Sequence, residues 1–294
     1  MLVITGATGN IGSKITWNLL NQGQKVRVVG RDAKRLQQFM DKGAEAMVGD
    51  LADTQFLTRA FTGATAVFCI LPPNMTTPNV REHQKKMGES IATAIKNAGV
   101  TRVVNLSSVG AHLTENAGIV EGLHDQEQRL NGITGLNVVH LRAAYFMENL
   151  LSTVDMVKTQ NIIGSPLNGA LRFPTVATRD IADIATEYLV NPTFQGQTVR
   201  HLLGPRDINY NEIVKVLGDV IGNRDLKYVQ FPYEQARGAM VEAGISESVA
   251  TALTESMKTM NEGSFLSEAH RTPETTTPTS IEEFARSVAD HFKR

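Results

Sequence analysis

The chain begins MLVITGATGNIG (residues 1–12), and this stretch indicates how the rest of it folds. Residues 2–4 are apolar and include two β-branched side chains, as in a buried strand, and an amphipathic run opens near Asn10. The order is therefore strand, tight turn and helix. The glycines are spaced Gly6-x-x-Gly9-x-x-Gly12. In such a unit one glycine allows the tight turn, one lets bare backbone approach a ligand, and one lets the helix pack close to the strand.

The glycine turn predicts a dinucleotide site. Free backbone NH groups at a helix N-terminus and the helix dipole both favour a bound anion, such as the pyrophosphate of a dinucleotide. Glycine-rich turns also occur simply because chains must turn. Here, however, the turn follows a strand, opens a helix and lies about 20 residues before the end of a second strand, which is the spacing that a ribose contact needs.

The composition argues against several classes of function. With 29 Lys and Arg residues against 30 Asp and Glu residues, the net charge of −1 leaves no electrostatic footprint for nucleic acid. No apolar run has membrane-spanning length, and a strand that starts at Leu2 leaves no room for a signal peptide, so we expect a cytoplasmic protein without a membrane partner. The single cysteine, Cys69, lies in an apolar run, where we expect a buried strand residue. We predict no metal site.

The first half of the chain alternates between strand-like and helical patterns. Strands are predicted over residues 2–5, 25–29, 44–48, 66–71, 102–106 and 137–142. Helices are predicted between them, over residues 11–22, 33–42, 53–61, 80–98 and 123–130. Alternation of this kind implies right-handed crossovers and a parallel sheet that is covered on both faces. We therefore predict an α/β fold with a doubly wound parallel Rossmann sheet, whose ligand lies at the carboxyl ends of the strands.

Beyond residue 145 the pattern becomes mostly helical. Helices are predicted over residues 146–159, 180–190, 210–221, 233–243, 246–261 and 280–292, with extended pieces at 198–203 and 227–231. The Thr/Pro-rich stretch 272–280 reads as an exposed connector. We expect an NAD(P)-binding Rossmann domain over 1–145 and a smaller, mainly helical C-terminal substrate lobe over 146–294, in which segments of about 170–205 return to the Rossmann core.

Six motifs follow one another along the chain: TGATGNIG at 5–12, GDL at 49–51, NLSS at 105–108, LR at 141–142 with YFMEN at 145–149, RDIA at 179–182 and SIEEFA at 280–285. Together they resemble the NmrA-like branch of the atypical short-chain dehydrogenases/reductases. The resemblance runs from residue 1 to about 221, residues 280–285 resemble the family's last helix, and the stretch 227–279 carries no motif that we can place. The resemblance implies a nicotinamide dinucleotide site and a role either as a reductase or as a nucleotide-sensing regulator.

The end of the second predicted strand bears on the choice of nucleotide. Gly30 stands where an acidic residue would bind a bare ribose 2′-hydroxyl, and Arg31, Lys34 and Arg35 follow it. A guanidinium binds a 2′-phosphate bidentately, whereas a carboxylate would repel it, so we favour NADP(H). NAD(H) stays open if Asp32 turns inward. The basic residues would also fit a solvated helix start.

Asp50 and Leu51 resemble the family's adenine-contacting pair, although Gly49-Asp50 would also fit an ordinary turn. The residues expected to contact the cofactor lie at the carboxyl edge of the predicted sheet: Gly6, Thr8, Gly9, Asn10, Ile11, Gly12, Arg31, Lys34, Asp50, Leu51, Leu71, Pro72 and Ser107.

The catalytic group is harder to assign. Short-chain reductases commonly use a tyrosine four residues before a lysine, and the lysine lowers the pKa of the phenol. None of the five tyrosines here has a lysine at that spacing. We consider His124, Ser107 and Tyr145 instead. Each has a structural alternative: a polar cap contact for His124, hydrogen bonds to loop NH groups for Ser107, and core packing for Tyr145.

Two functions follow from this sequence. The first is an NAD(P)H-dependent oxidoreductase that reduces a quinone or another conjugated carbonyl by hydride transfer, a step that mainly requires the nicotinamide to be placed against the acceptor. The second is a regulatory protein that senses the dinucleotide without turnover and acts on a protein partner. The loop at Pro72-Pro73 and the pair Tyr145-Phe146 favour the first, with a small-molecule substrate, whereas the missing lysine favours the second.

Overall fold

The structure, a computed structural model, describes residues 1–293. Its strands are β1 (Leu2–Thr5), β2 (Val26–Gly30), β3 (Glu45–Val48), β4 (Ala66–Cys69), β5 (Arg102–Ser108), β6 (Asn137–Ala143), β7 (Tyr145–Phe146), β8 (Ile162–Ser165), β9 (Phe173–Val176), β10 (Gln197–Leu202), β11 (Asp207–Ile208) and β12 (Lys227–Gln230). Its α-helices are α1 (Asn10–Asn21), α2 (Ala33–Met40), α3 (Thr54–Phe61), α4 (Val80–Asn97), α5 (Glu121–Asn131), α6 (Val154–Gln160), α7 (Thr178–Val190), α8 (Tyr210–Ile221), α9 (Tyr233–Glu242), α10 (Glu247–Asn261) and α11 (Ile281–Phe292). Within residues 1–293, no helix combines the length and the apolar character needed to cross a bilayer.

Seven parallel strands form the central sheet, in the order β10-β6-β5-β4-β1-β2-β3. The chain proceeds from β1 outward through β2 and β3, and then returns to place β4 on the other side of β1. The strand order therefore reverses between β1 and β4, and a crevice for a ligand forms at the carboxyl ends of strands at such a point. The predicted α/β fold with a doubly wound Rossmann sheet is confirmed.

Strand β1 shows why the sheet is covered on both faces. All four of its residues are buried, and successive side chains point to opposite faces of a strand. Ile4 packs in the cluster that contains Ile15 of α1, whereas Val3 packs in the cluster that contains Leu57 of α3 and Ile91 of α4. Fully burying a side chain of this size stabilises the fold by about 1.5–3 kcal/mol relative to exposure.

The later part of the chain contributes to the sheet layer and to smaller sheets. Strand β10 pairs in parallel with β6, and Ile181 and Ala185 of α7 belong to the same apolar cluster as α1. Two further sheets have the orders β11-β9-β7 and β12-β8, and α8 and α11 pack together beside them. The division of the chain into domains at residue 145 stays a prediction.

The helix predicted over residues 146–159 is wrong for its first half. Tyr145 and Phe146 pair with Thr175 and Val176 as strand β7, a 3₁₀ helix follows at Met147–Thr153, and α6 begins only at Val154. Parallel pairing with a distant segment extends the backbone here and overrides the local helical pattern. Strands β8, β9 and β11 were not predicted, because two to four residues carry too little periodicity to be recognised.

The Thr/Pro-rich stretch 272–280 is an exposed connector only in its first part, because residues 272–274 are exposed and the later part packs against the protein. Thr277 and Thr279 are buried, and the Thr277 amide donates to the carbonyl of Leu203 at 2.7 Å. The buried Asp180 carboxylate accepts hydrogen bonds from the amide and the hydroxyl of Thr279, at 2.9 and 2.6 Å. The stretch therefore ties the end of β10 to the first turn of α7.

Candidate active site

The glycine turn between β1 and α1 has the geometry that the sequence predicts. Gly6 has a φ of +63°, in the left-handed region that favours glycine. A Cβ at Gly12 would lie 2.3 Å from the carbonyl oxygen of Gly6, so only glycine fits where the helix approaches the turn. Gly9 caps α1 without any side-chain hydrogen bond. The NH groups of the first helical turn are therefore left for an anion.

A cleft of about 660 Å³ opens over this turn. Its size lies within the range of pockets that hold small molecules and cofactors, about 300–1,000 Å³. It brings together ten of the residues predicted to contact a dinucleotide: Gly6, Thr8, Gly9, Asn10, Ile11, Gly12, Arg31, Asp50, Leu51 and Pro72. Asp50 accepts a hydrogen bond from the amide of Ala52 at 2.8 Å, which shapes the turn that follows β3.

Three of the predicted cofactor residues lie outside the cleft. Lys34 is exposed in the first turn of α2, and Leu71 and Ser107 line a second cavity. Asp32 does not line the cleft either, and its Oδ1 accepts hydrogen bonds from the amides of Lys34 and Arg35, at 2.9 and 3.3 Å. Its carboxylate caps α2, as an N-cap Asp commonly does. The structure therefore gives no support to the NAD(H) alternative through Asp32.

Three further basic side chains line the cleft: Arg35, which the sequence places shortly after Arg31, and His83 and Lys86, which the sequence did not indicate. Arg35 donates from Nη2 to the carbonyl of Thr8 at 2.6 Å, which holds its guanidinium beside the glycine turn. His83 and Lys86 of α4 are spaced i, i+3 and both line the cleft. The buried Nε2 of His83 has no hydrogen-bond partner among residues 1–293. Cations and an unsatisfied polar atom around free NH groups suit a phosphate-rich ligand.

A second cavity of about 350 Å³ adjoins the cleft. Ile70, Pro73 and Phe146 line both spaces, so the two meet along these side chains. The other walls come from the end of β5, the start of α5, helix α10 and the 3₁₀ helix Ser264–Leu266, and most of their side chains are apolar. Part of the wall thus belongs to the stretch 227–279, in which the sequence showed no motif.

Ser107 lines the second cavity, but its hydroxyl proton points away from it. The hydroxyl donates to Oε1 of Glu127 at 2.5 Å, and Arg142 holds the same carboxylate through Nε at 3.0 Å and Nη2 at 2.7 Å. Glu127 is only 1% exposed, so this bidentate pair is a buried one. Ser107 therefore presents oxygen lone pairs to the cavity, and acts there as a hydrogen-bond acceptor. The sequence reasoning missed Glu127.

Tyr145 also lines the second cavity. Its hydroxyl is 3.1 Å from that of Tyr210, and its ring packs edge-on against Phe173 with centroids 5.5 Å apart. Burial raises the pKa of Tyr145 above its ordinary value, and hydrogen bonds with Tyr210 and Asn149 offset only part of this. The phenol of Tyr145 therefore stays protonated and keeps a proton that it can donate in a hydrogen bond. This shift is opposite to the one that a neighbouring lysine would cause.

His124 lies away from both spaces. Its Nδ1 is 2.9 Å from the carbonyl oxygen of Ala111, which makes Nδ1 the protonated nitrogen, and the side chain lines neither the cleft nor the second cavity. A ring that is fixed on a backbone carbonyl outside the cavity is not placed to donate a proton to a ligand inside it. The geometry favours the structural alternative for His124.

Comparison with known proteins gives matches over most of the chain. The NmrA-like family model matches residues 1–285. An NAD(P)H azoreductase of Xenophilus azovorans is 29% identical over 255 residues, which cover 87% of this chain and 85% of the relative. A (4-alkanoyl-5-oxo-2,5-dihydrofuran-3-yl)methyl phosphate reductase of Streptomyces griseus is 27% identical over 90% of this chain and 88% of the relative.

Solved structures share the fold. An NADPH-dependent quinone oxidoreductase of Escherichia coli, solved with NADPH, superimposes with a TM-score of 0.81 at 19% identity, over 98% of this chain and 99% of that one. A triphenylmethane reductase of Citrobacter, complexed with NADP(H), gives a TM-score of 0.78 at 17% identity with the same coverage. The fold, the order of the motifs and the match of the family model agree, and this chain belongs to the NmrA-like family.

Proposed function

We propose that this protein is an NADPH-dependent reductase that transfers a hydride to a small molecule, a quinone or another conjugated carbonyl compound. The observation that carries the proposal is the junction of two unlike spaces at Ile70, Pro73 and Phe146. One space holds a glycine turn and basic side chains, and the other is mostly apolar. A dinucleotide in the first would place its reactive ring where an acceptor in the second can meet it.

The cleft residues fit NADPH. The NH groups after Gly9 would hold the pyrophosphate, and Arg31 and Arg35 would hold the 2′-phosphate that distinguishes NADPH from NADH. Asp50 and Leu51 would contact the adenosine end. When bound, the cofactor supplies the hydride. The azoreductase relative is named for NAD(P)H, and two structural neighbours were solved with NADPH or NADP(H), which supports this choice.

Residues of the second cavity would orient the acceptor rather than supply a strong acid. The protonated hydroxyl of Tyr145 can donate a hydrogen bond to a carbonyl oxygen, and Ser107 can accept one from an NH or OH group. A hydroquinone oxyanion is a weak enough base for water to protonate it. The apolar walls exclude bulk water around the reacting atoms. Reduction without a tyrosine-lysine pair is therefore chemically sound.

The test is NADPH oxidation with 1,4-naphthoquinone and a panel of enones, with nucleotide binding measured on the same protein preparation. We expect turnover with at least one acceptor, and a weaker response with NADH. Protein that binds NADPH but oxidises none above the buffer rate across the panel would refute the reductase. That result would favour the nucleotide-sensing regulator, whose readout is a nucleotide-dependent interaction with a protein partner.

A further inference from the structure

Charged side chains are divided unequally between the two spaces. The cleft is lined by Arg31, Arg35, His83, Lys86 and Asp50. Among residues 1–293, the lining of the second cavity includes no Asp, Glu, Lys, Arg or His side chain. This difference bears on the substrate, because a charge that enters an apolar site must give up its hydration and find a partner there.

Three of the hydroxyls in the lining already have partners. Ser256 donates to the carbonyl of Ala117 at 2.8 Å and accepts from the amide of Ile119 at 3.1 Å. Ser107 donates to a carboxylate, and Tyr145 shares a hydrogen bond with another phenol. The Ser108 hydroxyl and the Asn149 amide also line the cavity. The cavity can therefore offer hydrogen bonds to a neutral polar group, but it holds no cation to compensate the charge of an anion.

The charged side chains that lie behind the cavity wall do not supply the missing cation. Arg142 lies behind Ser107, where Glu127 binds its guanidinium bidentately and Glu268 accepts from Nη1 at 2.9 Å. Two carboxylates thus neutralise the single guanidinium. No uncompensated positive charge is left on this side of the cavity for a sulfonate, carboxylate or phosphate group.

We propose that the second cavity selects a neutral acceptor of one or two fused rings and rejects acceptors that carry a sulfonate, carboxylate or phosphate. The size limit follows from the volume of about 350 Å³, near the lower end of the range for small-molecule pockets, about 300–1,000 Å³. The inference rests on the proposed function, since it names the substrate class of the same site. It also separates this chain from its relative named as the reductase of a phosphate ester.

The binding experiment uses protein saturated with 1,4,5,6-tetrahydro-NADP, whose nicotinamide-derived ring is uncharged and donates no hydride, so that an acceptor binds without reacting. Isothermal calorimetry compares 1,4-naphthoquinone with 1,4-naphthoquinone-2-sulfonate, which share the same ring system. We expect the sulfonate to bind at least about 10²-fold more weakly, because its charge is desolvated without a partner. Equal affinities, tighter binding of the sulfonate, or no binding of the neutral quinone would each overturn the inference.

A charge introduced into the wall provides the second test. Met257 is a partly buried residue of α10 that lines the cavity, and its unbranched side chain resembles that of lysine in length. Met257→Lys should raise the affinity for the sulfonate by about 10-fold or more, whereas the matched control Met257→Gln should not. If both variants fold and neither changes the sulfonate affinity, the inference fails.

Turnover with NADPH distinguishes this inference from the proposed function. Selective binding of the neutral quinone without its reduction would support the selectivity of the cavity and refute the reductase. Reduction of both quinones with equal kcat/KM would support the reductase and overturn the selectivity.

Discussion

Gly12→Ala is the smallest change that tests the dinucleotide site. The added Cβ would lie 2.3 Å from the carbonyl oxygen of Gly6, 2.8 Å from the carbonyl carbon of Gly6 and 3.1 Å from Cα of Ala7. All three atoms belong to the backbone of the turn, so no side-chain rotation relieves the contact. Helix α1 must therefore move away from the turn.

The size of the effect follows from these distances. A carbon and a carbonyl oxygen approach without strain to about 3.3 Å, so helix and turn must separate by about 1 Å. The strain costs about 1–3 kcal/mol of stability, as overpacking commonly does. A displacement of this size misaligns the NH groups on the phosphates. Loss of two charge-assisted hydrogen bonds, at about 1.5–3 kcal/mol each, corresponds to about 10²- to 10⁴-fold weaker binding.

Calorimetric titration of NADPH into the folded variants measures this loss. Gly238→Ala in α9 is the matched control, because a Cβ there has no atom within 4 Å, and it should leave NADPH affinity unchanged. Gly9→Ala should fall between the two, since its Cβ would lie 3.3 Å from the oxygen of Gly6. A folded Gly12→Ala protein that binds NADPH within about threefold of the unaltered protein would refute the reasoning.

Three further predictions concern charge. Arg31→Ala should weaken NADPH binding by about 10-fold or more and leave NADH binding nearly unchanged. Lys34→Ala, which alters a residue outside the cleft, should change the affinity for neither nucleotide. An equal loss of affinity for both nucleotides in Arg31→Ala would contradict a role of Arg31 in 2′-phosphate binding. Glu127→Gln should lower the free energy of unfolding by about 3–5 kcal/mol, measured by chemical denaturation, because it removes the buried one of the two carboxylates that compensate Arg142. A change below about 1 kcal/mol would mean that the exposed Glu268 compensates Arg142 alone. Burial lowers the pKa of His140 from 6.5 to about 4, so the unfolded chain binds more protons than the folded protein between these pH values. The free energy of unfolding should therefore fall as the pH drops from about 6.5 to about 4. His140→Gln should flatten this pH dependence, and an unchanged dependence would refute its assignment to His140.

The sequence predicted what depends on residues close together in the chain. The glycine spacing, the apolar run of each parallel strand and the basic residues after β2 are local patterns, because each spans only a few consecutive residues. The structure accordingly has Gly6 in the left-handed region at the turn and places Arg31 in the cleft, whereas the role of Arg31 in cofactor binding stays a prediction. Asp32 was ambiguous in sequence, because an N-cap and a ribose ligand require the same side chain at nearly the same position.

The sequence could not show what depends on distant residues. Glu127 contacts Ser107 and Arg142, which lie 20 and 15 residues away in the chain, so no local pattern indicates that it controls the hydroxyl of Ser107. Tyr145 is a strand residue only because Thr175 pairs with it. Thr277 and Thr279 looked solvent-exposed because they are polar, yet both are buried: the amide of Thr277 donates to the carbonyl of Leu203, and the Asp180 carboxylate accepts from Thr279.

The measurement that tests the central claim most directly is single-turnover reduction of 1,4-naphthoquinone by protein loaded with NADPH deuterated at C4 of the nicotinamide. If the protein transfers a hydride between the two adjoining spaces, one NADPH should be consumed per quinone reduced, and deuteration should slow the chemical step. Consumption of NADPH that does not depend on the quinone, or no consumption by protein that demonstrably binds both ligands, would contradict the account.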